Sequence, residues 1–268
     1  MHPIRPLDVR RLASEFRAAQ PFPFVQIDEF LDPDFAREVV AAYPGFDQAA
    51  KLGRTFESVN EHRKIQVTDS RLFPPPVKRL HDAIASREFL GALEVVTGIP
   101  QLLADATMAG GGMHQTGPRG RLDVHVDFNL LGERKLHRRL NILIYLNPVW
   151  EREWGGFLEL WDADVKVRHH AIAPILNRCV IFETSQTSYH GVEQVTCPKD
   201  VTRRSFAGYY YTVEAPARWD GTSHSTVFHA RPDERVKGWL LMPFERAGAR
   251  LGRSLSGIKR SAKHLLRG

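Results

Sequence analysis

The chain has 268 residues, 43% of them hydrophobic and 25% charged. That balance excludes a disordered or collagen-like chain and allows one or two globular domains. The formal charge of +6 is uneven: residues 231–268 carry +7 and residues 1–230 carry −1. The basicity therefore describes a tail, and a nucleic-acid role for the whole chain loses its main support.

Cys179 and Cys197 are too few for a disulfide framework or a cysteine-based zinc module. No run approaches the 18 apolar residues of a membrane span. The N-terminus lacks the apolar core of a signal peptide. The expectation is a soluble, cytoplasmic protein.

In chain order, residues 6–20 suggest a short helix. Phe22, Phe24, Val25, Ile27 and Phe30 then read as a partly buried strand. Asp32-Pro33 supplies a capping acceptor followed by proline at the first helical position, and Phe35, Val39, Val40 and Tyr43 keep helical spacing up to Pro44-Gly45. Residues 46–76 are polar and read as irregular. Two further helices are expected, the second running from a Ser86 cap to a Gly98 stop.

From about residue 100 the period changes to short β-rich runs near 101–108, 121–128, 138–147, 155–161, 165–174, 178–184, 188–195 and 201–213. The connections are too short for crossover helices, so an antiparallel sandwich or jelly roll is expected. The predicted class is α+β, with N-terminal helices (1–99) packed on one sheet of a β core (100–213). The two form one domain over 1–230, and a basic tail follows over 231–268. Within that tail, residues 244–267 carry apolar residues at helical spacing among Lys and Arg, a pattern suited to weak contact with an anionic surface.

His125-Val126-Asp127 is the most informative local motif. Residues i and i+2 of a strand share a face, so an imidazole and a carboxylate project together. They fill two adjacent coordination positions of a metal and need a third ligand, for which His190 is the best candidate. Two His and one carboxylate on one face leave positions open, the arrangement of non-haem Fe(II) oxygenases.

Thirteen residues after His190 comes Arg203-Arg204-Ser205-Phe206. A guanidinium deep in a β core calls for an anion, and a dicarboxylate co-substrate supplies one. Tyr145 can add a hydroxyl to the same carboxylate. Arg203 and Arg204 compete for this role because they face opposite sides of a regular strand.

The ordered set His125-x-Asp127, Ile-Tyr145-Leu-Asn, Trp154-Gly-Gly-Phe-Leu, His190-x-Val192 and Arg203-x-Ser205-Phe206 resembles the Fe(II)/2-oxoglutarate-dependent dioxygenases of the prolyl 4-hydroxylase-like branch. The resemblance covers roughly residues 100–213. It implies a double-stranded β-helix (jelly-roll) core, with Fe(II) held by His125, Asp127 and His190. It also implies 2-oxoglutarate held by Arg203 and Tyr145, with Asn141, Val192 and Ser205 as further pocket residues. The implied reaction is that of an oxidoreductase consuming O2 and 2-oxoglutarate, releasing succinate and CO2 and hydroxylating an unactivated C–H bond, with ascorbate as a supporting reductant. The family pattern favours Arg203 over Arg204.

One departure concerns the oxidised substrate. The stretch before His125 is glycine-rich (Met108 to Pro118) and reads as a mobile loop that lets substrate approach closely. A small molecule, a glycan or lipid intermediate and a protein residue are all open as substrates, with no specific nucleic acid expected. His169-His170 are not expected to share a metal, because neighbours in a strand point apart. The alternative is a non-catalytic β-sandwich module that binds RNA or an acidic membrane through its basic tail.

Overall fold

The computed structural model describes residues 2–105, 107–132 and 134–234. The proposed surface contact through 244–267 lies outside the described residues.

Local chemistry places the N-terminal helices as the sequence predicts. After α1 (Val9–Ala18) and β1 (Phe24–Ile27), α2 (Pro33–Ala42) starts where the Asp32 carboxylate accepts from the Asp34 and Phe35 amides. α3 (Phe46–Leu52), β2 (Arg54–Glu57) and β3 (Glu61–Val67) follow. α4 (Pro75–Ile84) and α5 (Arg87–Thr97) come next; Ser86 Oγ caps α5, and Gly98 ends it in a left-handed conformation. No helix among the described residues is long and apolar enough to cross a membrane.

Helix α3 and the hairpin β2–β3 correct the expectation of an irregular 46–76. Most of the hairpin's side chains are polar because they face a polar cavity or solvent; Ile65 and Val67 alone enter the main core, too few to mark a half-buried strand by alternation.

The remaining strands are β4 (Leu103–Ala104), β5 (Gly112–Val126), β6 (Leu130–Leu131), β7 (Leu136–Tyr145), β8 (Leu158–Trp161), β9 (Arg168–Ile172), β10 (Cys179–Glu183), β11 (His190–Val192), β12 (Arg203–Thr212) and β13 (Val227–His229). They form one curled antiparallel sheet whose main path runs β1-β10-β7-β12-β5-β11-β8-β9. The class is α+β, and the sheet curls on itself as the expected jelly-roll core does.

β5 joins the two halves of the curl. Its first part, Gly112 to Thr116, pairs with β12, and its last part, Leu122 to Val126, pairs with β11 and β13. β3 runs along the other edge of the first part and reaches Leu122. The glycine-rich segment is therefore mostly strand, which corrects the reading of a mobile loop. Gly112 has φ +94°, and a Cβ there would sit 2.2 Å from the Val67 carbonyl oxygen, so β3 packs on β5 only because no side chain intervenes. Gly112→Ala is expected to destabilise the fold by roughly 2–4 kcal/mol through strain and lost pairing. Exposed Gly91 within α5 is the control: its Cβ would meet nothing within 4 Å, and Gly91→Ala should stabilise by about 0.5–1 kcal/mol. Urea unfolding of both variants checks the opposite signs.

Strand alternation sorts the core. On β7, Leu140, Ile142 and Ile144 join the cluster that includes Phe35, Val77 and Leu93 of the helices, while Leu143 and Tyr145 pack in the cluster on the other face. On β12, Phe206 and Tyr210 join the helical cluster, and Arg203, Ser205 and Tyr209 line a cavity inside the curl.

Candidate active site

The inside of the curl holds a cavity of about 450 Å³. His125 near the end of β5 and His190 at the start of β11 are cross-strand partners with ring centroids 4.3 Å apart. Asp127, just past the end of β5, lies beside both: His125 Nε2 is 3.6 Å from Oδ1 and His190 Nε2 is 3.4 Å from Oδ2. Among the described residues, this is the only group of three or more His, Cys, Asp or Glu side chains placed to hold a metal ion.

The donor set fits a first-row divalent cation. Each histidine places Nδ1 against a backbone carbonyl, His125 on Asp123 O at 2.8 Å and His190 on Ser188 O at 3.0 Å. The Nδ1–H donates there, which leaves each Nε2 lone pair directed toward the carboxylate. Adjacent ligands about 2.1 Å from an ion stand roughly 3 Å apart, close to the spacings seen. Burial, reinforced by His125, lowers the His190 pKa to about 4, so its imidazole is neutral and able to ligate. Burial acts to raise the Asp127 pKa, but Arg138 and the two histidines hold the carboxyl well below the usual range.

Arg138 was not identified from the sequence. It is buried, lies 3.1 Å from Asp127 Oδ2 and donates to Asn141 Oδ1 at 3.0 and 2.7 Å. Its guanidinium stands 3.5 Å from the Tyr209 ring centroid and 4.6 Å from that of Phe128. Asn141 Nδ2 completes the triangle by donating to Asp127 Oδ2 at 2.7 Å. Asn141 thus contacts the triad's carboxylate from the cavity wall.

Two bulges produce this convergence. β11 pairs His190 with His125 but Val192 with Leu122, so β5 carries an extra residue and both Leu122 and His125 reach the cavity. β12 pairs Tyr210 with Leu140 but Tyr211 with Arg138, so β7 bulges at Arg139 and Arg138 turns inward. Strict alternation from Asn141 would have turned Arg139 inward instead.

Arg203 lines the same cavity and is 4% exposed. Its Nε donates to Gly156 O at 2.6 Å and its Nη2 to Tyr145 Oη at 3.3 Å. Among the described residues it has no acidic partner, and burial pulls its pKa below the usual guanidinium value. A buried cation in this state calls for an anion from outside. Arg204 does not line the cavity; its amide donates to Asn147 Oδ1 at 2.7 Å. Tyr145 is fully buried against Arg203 and does not itself line the cavity, whereas Val192 and Ser205 do. His170 lies elsewhere, 2.8 Å from Gln20 O.

His114, on β5, also lines the cavity. Burial, with Lys64 second, lowers its pKa to about 3. The unfolded chain therefore binds the extra proton first, and stability falls as pH drops from about 6.5 toward 3. His114→Gln should flatten the decline in urea midpoint between pH 6 and pH 4.

A curled antiparallel sheet thus brings two imidazoles and one carboxylate, able to hold a metal ion, into one cavity with an arginine that has no acidic partner among the described residues. Residues 111–211 match the family model of the 2OG-Fe(II) oxygenase superfamily. A stretch of 78 residues is 36% identical to prolyl 3-hydroxylase OGFOD1 of Mus musculus, covering 28% of this chain and 14% of that protein's length. A Pseudomonas putida prolyl-4-hydroxylase is similar in structure, with TM-score 0.54 at 17% identity over 75% of this chain and 98% of its own. The non-heme alpha ketoglutarate dependent epimerase SnoN from nogalamycin biosynthesis gives TM-score 0.51 at 16% identity over 84% of this chain and 94% of its own. At these identities the solved structures establish the fold alone.

Proposed function

We propose that the chain is an Fe(II)- and 2-oxoglutarate-dependent dioxygenase that hydroxylates an unactivated C–H bond of its substrate, releasing succinate and CO2. The observation that carries this is the juxtaposition, in one cavity, of the His125–Asp127–His190 set and the acid-free guanidinium of Arg203.

His125 and His190 would hold iron through Nε2 and Asp127 through its carboxylate. Iron, when bound, supplies the redox chemistry that links oxidative decarboxylation of 2-oxoglutarate to C–H oxidation. Arg203 binds the far carboxylate of 2-oxoglutarate in a low-dielectric setting, with its Nε fixed on Gly156 O and Tyr145 behind it. Ser205 and Val192 shape the same wall. Leu143, Leu158 and Phe182 exclude water from the co-substrate. Arg138 and Asn141 fix the orientation of Asp127 and keep it ionised.

The test is Fe(II)-dependent succinate formation from 2-oxoglutarate by the purified chain, with and without candidate substrates and ascorbate. Succinate that requires iron supports the reading, and its absence across free amino acids, proline-containing peptides and nucleotide sugars overturns it. A purely binding module is not favoured, because such a module needs neither an acid-free buried arginine nor three converging ligand atoms. The two buried free thiols, Cys179 and Cys197, suit a reducing cytoplasmic setting.

A further inference from the structure

The charge of the cavity exceeds what iron and 2-oxoglutarate use. Four cations line it, Arg54, Lys64, Arg138 and Arg203, against two carboxylates, Glu61 and Asp127. Fe(II) and the 2-oxoglutarate dianion cancel each other, so an excess of two positive charges persists in the loaded site. This excess is local, because residues 1–230 as a whole carry −1. A cleft lined by one sign within low-dielectric walls concentrates counter-charge. The neighbouring cavity, which shares the Arg138 wall, has the same bias, with Arg139 and Arg218 against Glu183.

Of the six charged groups, Arg203 is used by 2-oxoglutarate and Asp127 by iron, and Arg138 is paired with Asp127. The two remaining cations lie on the β2–β3 hairpin, Lys64 paired with Glu61 and Arg54 without an acidic partner among the described residues. Lys64 pairs with Thr116, which pairs with Arg203, so Lys64 and Arg203 stand in one row two strands apart, roughly 10 Å between backbones. Lys64 Nζ is 2.8 Å from Glu61 Oε1. Both cations flank one ring: the Arg54 guanidinium is 4.5 Å and the Lys64 ammonium 5.4 Å from the Phe56 centroid. Both cations lie over the Phe56 ring, which holds them near each other at the cavity wall.

We propose that the substrate to be oxidised carries an anionic group, a carboxylate or a phosphate, seated on Arg54 and Lys64 beside Phe56. This rests on the oxygenase reading above and names the class of molecule that the same cavity takes. The Phe56 ring holds the two cations in place through cation–π contact, and they bind the anion.

The experiment is anaerobic calorimetric titration of the Fe(II)- and 2-oxoglutarate-loaded full chain with benzoate, phenyl phosphate and benzamide. Benzoate and phenyl phosphate are expected to bind at least tenfold more tightly than benzamide, and the tighter of the two identifies the anion. Arg54→Glu, a change at an exposed edge-strand position, should reduce that preference to within twofold. Lys64→Met tests the second cation, and circular dichroism of each variant confirms folding. The 2-oxoglutarate affinity, measured in the same preparations, should stay within twofold of wild type in Arg54→Glu. Equal binding of benzamide and the anions, no measurable binding of either anion, or an undiminished preference in Arg54→Glu overturns the proposal. Displacement of 2-oxoglutarate by the anions also overturns it, by assigning them to Arg203. Failure of 2-oxoglutarate itself to bind overturns the oxygenase reading instead, so the two failures are distinguishable.

Discussion

Asp127→Ala is expected to abolish iron-dependent succinate formation, with a loss of at least 100-fold, and also to lower the stability of the metal-free protein. The first effect follows from losing one of three ligands. The second follows from Arg138, which is buried and ion-paired with Asp127 at 3.1 Å. Removing one partner of a buried pair leaves the other charge uncompensated, at a cost of roughly 3 kcal/mol. His190→Ala should abolish turnover as well, but its imidazole is already neutral and its removal strands no charge. Urea unfolding without iron should therefore separate the two inactive variants, and Asp127→Ala/Arg138→Met should recover much of the lost stability without activity. Full succinate yield in His190→Ala would remove His190 from the metal centre.

Arg203→Ala is expected to raise the apparent KM for 2-oxoglutarate by about two orders of magnitude, because a charge-assisted contact in a buried site is worth roughly 2–4 kcal/mol. Arg204→Ala should change it less than twofold, since Arg204 does not line the cavity. Tyr145→Phe should have an intermediate effect, near threefold, by loosening the hydroxyl that holds Arg203. Initial-rate measurements over a range of 2-oxoglutarate concentrations order the three variants. Equal KM values for Arg203→Ala and wild type would leave the co-substrate without its anchor.

These residues were unequally visible in the sequence. The helix caps Asp32 and Ser86 and the Gly98 stop follow from chemistry local to a few residues, and the structure has all three. Alternation alone leaves Arg203 and Arg204 as equal candidates; the family resemblance favours Arg203, and it is Arg203 that lines the cavity. Arg138 escaped because a bulge at Arg139 reverses that alternation, and a bulge leaves no compositional mark in Arg138-Arg139. The hairpin Arg54–Val67 escaped for another reason. A strand that faces a polar cavity has no reason to be apolar on that side, so periodicity is silent where the site is most hydrophilic. The glycine-rich run misled in the opposite direction: Gly112 is there for close strand packing against Val67 rather than for mobility.

Arg231 belongs by composition to the basic tail, yet its side chain is mostly buried on the sheet. It donates to Glu159 Oε2 of β8 at 3.0 and 2.6 Å, to Asp123 Oδ1 of β5 at 3.3 Å, and to the backbone carbonyls of Leu122 and Val192 at 3.3 and 3.2 Å. One guanidinium thus braces three adjacent strands, two of which present His125 and His190. The spacing between the two imidazoles is in this way tied to a residue more than forty positions downstream of the second, and the unit that shapes the site extends past the point where the charge composition of the chain changes.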